Sequence, residues 1–102
     1  MSREIIFVND SKEIIINNSI LYFYINDNFI HKKIKSILFQ EYNKNYNIYF
    51  INIKNFKNYI KIYDLKSVPT FIFFKDKKEK YRINNIINLK DFKLIIDDIY
   101  NF

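Results

Sequence analysis

Three stretches of this chain are apolar almost without interruption: Ile20 to Ile25 (ILYFYI), Ile48 to Ile53 (IYFINI) and Phe71 to Phe74 (FIFF). A strand with one wet face alternates apolar and polar residues, whereas a strand covered on both faces has no reason to alternate. Ile20 to Ile25 therefore reads as a central strand of a sheet and Ile48 to Ile53 as a second buried strand, while Phe71 to Phe74 reads as an apolar strand of a hairpin. Between them the apolar period changes. From Phe29, the residues Ile30, Ile34, Ile37, Leu38 and Tyr42 recur at helical spacing with Lys32, Lys33, Lys35 and Glu41 between them, an amphipathic helix of about four turns. Asn43 to Asn47 ends it with an asparagine-rich turn. Phe56, Tyr59, Ile60 and Tyr63 predict a short helix ending near Asp64, and Leu89, Phe92, Ile95, Ile96 and Ile99 predict a last one over Leu89 to Tyr100.

The remaining segments complete the order. Glu4 to Val8 reads as a short strand; Asp10 then stands where it caps a helix running to about Asn17, with Glu13 reaching back as in a capping box. Asp76-Lys77-Lys78 reads as a hairpin turn joining Phe71–Phe74 to a partner strand, Glu79 to Ile83. The predicted order is β-α-β-α-β-α-β-β-α in one domain spanning residues 1–102. Alternating strands and helices imply parallel pairing, and the hairpin implies an antiparallel edge. The class is α/β: a mixed sheet with helices on both faces.

Composition supports a packed core and excludes several chemistries. Of 102 residues 49% are hydrophobic and 20% aromatic, ample to fold without disulfides or metals. There is no cysteine and no glycine, so disulfide chemistry and a glycine-rich phosphate loop are both ruled out. No serine has the chain's one histidine at a nucleophile's spacing, and no carboxylate set has metal-ligand spacing, so no catalytic residue, cofactor or metal is expected. Asp97 and Asp98 are adjacent on a helix and point apart, which makes them surface residues and not an acid–base pair. Heavy use of isoleucine, asparagine and lysine, with no alanine, fits an AT-rich genome. The net charge of +6 is spread along the chain and reads first as a solvated surface. No apolar run is long enough to span a bilayer, and MSREIIFVND carries no signal or transit pattern; no membrane insertion is expected, and a cytoplasmic location, with the nucleus as alternative, follows by default.

The one proline, Pro69, stands directly before the third apolar run. Lacking an amide proton, it belongs in a turn or at a strand's first residue. The segment YDLKSVPTFIFFKDKKE, Tyr63 to Glu79, resembles the thioredoxin family, in which a helix and short loop lead into a hydrophobic residue, a cis proline, threonine, an apolar strand and a lysine-containing hairpin. The resemblance extends along the chain and implies a thioredoxin-like fold. The family's W-C-G-P-C-K segment corresponds to FYINDNFIHKKI, Phe23 to Ile34. With Lys32 on the family's lysine, Asn28 and His31 take the places of the two cysteines, Phe29 and Ile30 those of glycine and proline, Asp27 that of tryptophan, and Tyr22 that of a buried aspartate. These are degenerate active-site positions. Thiol–disulfide exchange needs a thiolate, and neither asparagine nor an isolated histidine replaces one.

What the resemblance leaves is a binding surface. In the family the backbone before the cis proline pairs with a bound peptide, a form of strand addition. Here that residue is Val68, and the resemblance places Asn28, Phe29, Ile30, His31, Pro69, Ile83 and Asn84 around it. A redox-inactive protein-binding or scaffolding subunit, with a polypeptide or larger complex as partner, is the leading expectation. The competing structural reading is that Phe29 and Ile30 tuck into neighbouring loops, that His31 is a polar residue of the helix's first turn, and that Pro69 only keeps the loop's shape. The alternative function is nucleic-acid association, through Lys32, Lys33, Lys35, Lys75, Lys77, Lys78 and Lys80 with the rings of Phe29 and Tyr81.

Overall fold

A computed structural model describes residues 5–7, 17–25, 29–41, 46–84 and 88–100. The elements are β1 (Ile5–Phe7), β2 (Ser19–Tyr24), α1 (Phe29–Glu41), β3 (Asn47–Asn52), α2 (Asn58–Ile62), β4 (Thr70–Lys75), β5 (Lys78–Ile83) and α3 (Leu89–Tyr100). The helix expected between Asp10 and Asn17 falls largely outside the described residues. The strands form one sheet in the order β1-β3-β2-β4-β5. The β1–β3 and β2–β3 pairs are parallel, and the β2–β4 and β4–β5 pairs antiparallel. The fold is α/β with the mixed sheet that the sequence implies.

Alternation along each central strand sorts the aromatic content into two cores. Ile20 and Tyr22, Ile48 and Phe50, and Phe71 and Phe73 face α1 and α3, meeting Ile34, Leu38, Phe92, Ile96 and Ile99. Leu21 and Phe23, Tyr49 and Ile51, and Ile72 and Phe74 face the other way, toward Tyr59 and Leu65. Each such side chain contributes about 1.5–3 kcal/mol on burial. Tyr100 ties the end of α3 to the sheet, its hydroxyl donating toward the carbonyls of Phe74 at 2.8 Å and Ser19 at 3.1 Å. Burial raises this phenol's pKa far above its ordinary value. At the other end of α3, Asn88 is the cap: its Oδ1 accepts from the Asp91 amide at 2.8 Å, and its Nδ2 donates to the Asp91 carboxylate at 3.0 Å.

The structure departs from the sequence reading at several boundaries. β2 stops at Tyr24, and Ile25 is 42% exposed beyond it. Ile60, expected on the buried face, is 44% exposed, because α2 has only five residues and turns only Tyr59 inward. The hairpin turn is two residues, Asp76 and Lys77, and Lys78 belongs to β5. Both turn residues have positive φ, 52° and 67°, which suits a tight hairpin of primed type but is unfavourable for residues with a Cβ. The amide of Asp76 donates to Asn18 Oδ1 at 3.0 Å, fastening the turn to the chain just before β2.

Arg82 performs the longest-range polar contact near the proline loop. From β5 its Nη1 donates to the carbonyls of Tyr63 at 2.7 Å and Asp64 at 3.1 Å, closing off the end of α2. Its Nε and Nη2 make a bidentate pair with Glu79 at 2.9 and 2.8 Å, and that partner holds the guanidinium pKa above its usual value. Replacing Asp76 and Lys77 together by Asn and Gly relieves the left-handed strain, with an expected gain of about 1 kcal/mol in urea unfolding. Arg82→Lys cannot reproduce the fork; we expect a loss of about 1 kcal/mol, with faster amide exchange confined to the segment from Asp64 to Val68.

Candidate functional site

β2 and β4 run antiparallel with Phe23 opposite Thr70, so the end of β2, the start of α1 and the loop before β4 meet at one end of the sheet. The loop residues Ser67, Val68 and Pro69 enter β4 through a cis Val68–Pro69 peptide. Hydroxyls fix its shape. The Ser67 Oγ donates to the Asn84 carbonyl at 2.9 Å, and the Thr70 Oγ1 donates to the Ser67 carbonyl at 2.6 Å while lying 3.3 Å from the Asn84 side chain. Asn84, just past β5, thus braces the loop. Val68 and Pro69 are half-buried, and the Val68 side chain packs on the core facing α2. The amide and carbonyl of Val68 make no hydrogen bond to another described residue.

The start of α1 divides its residues between solvent and core. Phe29 is 80% exposed and does not tuck against its neighbours. His31, two residues on and so about 200° around the helix, points inward and is only 5% exposed. Its Nδ1 lies 2.9 Å from the hydroxyl of Tyr22, itself 1% exposed. With Nδ1 unprotonated the phenol donates and the imidazole carries its proton on Nε2. The ring stacks on Tyr24 with centroids 4.1 Å apart and meets the edge of Phe50 at 6.4 Å. Tyr22 in turn stacks on Phe71 at 5.0 Å. The residues at the family's buried-aspartate and second-cysteine positions therefore touch, as a phenol–imidazole pair inside an aromatic box.

Of the residues singled out in the sequence, Phe29, Val68, Pro69 and Asn84 gather at this end of the sheet. His31 is part of the core beneath it, not of the surface. Ile83 is half-buried against the core facing α3. Asn28 and Asp27 lie outside the described residues, as does the side chain of Ile30. Sequence reasoning missed Arg82 and Ser67 as the groups that hold the loop. Arginine in a chain whose basic residues are nearly all lysine was the available signal, since a forked contact to carbonyls and a carboxylate is what lysine cannot make. Among the described residues no group of three or more histidine, cysteine, aspartate or glutamate side chains is placed to hold a metal. No described helix is long and apolar enough to cross a membrane.

No protein-family model matches the chain, and no curated protein matches it. Solved structures do. A mutant thioredoxin from Halobacterium salinarum superposes with a TM-score of 0.82 at 15% identity, covering 97% of this chain and 93% of that one. Thioredoxin O2 from Arabidopsis thaliana, in its oxidized state, gives 0.71 at 23% identity over 80% and 74%. Thioredoxin-2, described as a component of malaria parasite protein secretion machinery, gives 0.70 at 17% identity over 96% and 94%. Likeness at these identities establishes the architecture. The chain has the thioredoxin fold, built without a single cysteine.

Proposed function

We propose that this chain is a redox-inactive binding or scaffolding subunit that grips an extended polypeptide segment along Val68, beside Pro69. The observation that carries the reading is the state of the Val68 backbone. Its amide and carbonyl have no hydrogen-bond partner among the described residues, while Ser67 beside it is held to Asn84 and to Thr70. Strand addition needs main-chain groups left open to an incoming segment, and the Val68 bend just before β4 offers them among the described residues. Phe29, almost fully exposed at the same end of the sheet, supplies an apolar contact for the incoming segment. The aromatic packing around His31 serves as a rigid floor under that surface.

Sulfur chemistry is absent from this site, so what remains for it is recognition. The malaria parasite thioredoxin-2 is an instance of a chain of this fold working inside a protein machine, and its role comes to the present chain by analogy only.

Tagged protein recovered from its native extract at low and at high salt, with mass spectrometry of what stays bound, tests the reading. A salt-resistant polypeptide is expected, and Phe29→Ala combined with Val68→Asp should weaken its binding by about tenfold to a hundredfold. Retention of every partner by that double variant would sink the proposal. Nucleic acid that leaves steeply with added salt would transfer the function to the lysines. In an insulin-reduction assay no turnover is expected, and turnover would overthrow the redox-inactive assignment.

A further inference from the structure

α3 buries Phe92, Ile96 and Ile99 against the sheet. On another side of the helix Lys90, Leu94 and Asp98 follow at i, i+4 and i+8, forming one exposed stripe, with Leu94 60% exposed. Leu94 also borders a groove of about 620 Å³ whose helix wall is Leu94, Ile95, Asp98 and Ile99 and whose strand wall includes Lys75, Lys80 and Tyr81. The groove lies between α3 and β5, which is the sheet's edge strand. Tyr81 lies opposite Phe73 with ring centroids 6.3 Å apart, yet Phe73 is fully buried and Tyr81 is 50% exposed.

One exposed leucine needs no explanation. The order of the charges around it does. Lys90 stands in the first turn of α3 and Asp98 in the last, and the last turn has no basic residue, so this stripe runs against the helix dipole. Neither Lys90 nor Asp98 forms a salt bridge with a described residue. An arrangement unfavourable within one helix becomes complementary when a second identical helix lies antiparallel to it. Crossing at Leu94 then puts Lys90 of each copy opposite Asp98 of the other, and the two dipoles oppose as well.

We infer that the Lys90–Leu94–Asp98 stripe of α3 is a self-association surface, on which a second copy of this chain docks antiparallel about a two-fold axis. Leu94 of the second copy seats between Leu94 and Tyr81, and the two Lys90–Asp98 pairs fix direction and register. Such an isologous contact closes on itself and stops at a dimer. It shares no residue with the loop at Val68, so either surface can fail without the other.

Sedimentation of the full chain across micromolar to millimolar concentrations reads this out. The mass should rise with concentration from 12.7 kDa toward twice that, and less steeply at high salt. Asp98→Lys sets lysines against each other across the axis and should weaken association roughly tenfold. Lys90→Asp added to Asp98→Lys reverses the order without losing complementarity, and should restore it. Both exchanges are at exposed positions and agree with the helix dipole, so the fold is retained; far-UV circular dichroism and the melting curve verify that. A monomer at every concentration, a dimer indifferent to Asp98→Lys, or a double exchange that fails to restore association each overturns the inference.

Discussion

Everything in this molecule follows from burying β2, β3 and β4 on both faces. Consecutive residues of a strand point to opposite sides, so a run such as Ile20-Leu21-Tyr22-Phe23 delivers two residues to each core and leaves none for water. Helices must then cover both sides, and the connections between parallel β2 and β3 must cross over a face of the sheet. The loops that leave the strand ends are thereby gathered at the sheet's two ends. The proline loop, the start of α1 and Asn84 share one of those ends because the antiparallel β2–β4 and β4–β5 pairings bring them there.

At that end side chains pack where the resemblance sets the family's second cysteine and buried aspartate. The Tyr22 phenol and the Nδ1 of the His31 imidazole are in hydrogen-bond contact, with Tyr24, Phe50 and Phe71 packed around the two rings. The pair sits in the core beneath the first turn of α1, with His31 5% and Tyr22 1% exposed. It also stiffens the helix start that presents Phe29, just as Ser67, Thr70, Asn84 and Arg82 stiffen the loop that presents Val68. The exposed Phe29 ring and the Val68 backbone are the features on which the proposed binding role rests.

Strands and helices with strong periodicity were legible to within a residue or two: β2, β3, β4 and α3 each follow from a run or a repeat long enough to outweigh local noise. Short elements were less so. Ile60 was assigned inward because four apolar residues at helical spacing look alike, but a five-residue helix has room to bury one of them. The turn at Asp76-Lys77 was found by polarity, while its two-residue length depends on left-handed conformations that nothing in those side chains announces. Phe29 and Val68 come from the resemblance, and the structure places both at the proline end of the sheet, whereas His31, which reads as a polar residue of the first helical turn, is buried.

The sequence alone determined the two-faced sheet, the succession of elements and the lack of thiol chemistry, because apolar period and the absence of cysteine are properties of single residues and their neighbours. Tertiary structure decided which way His31 points, that Arg82 reaches Tyr63 and Asp64, and that Tyr81 of β5 and Leu94 of α3 line one groove. These depend on distances between segments far apart in the chain, set by helix phase and strand register together.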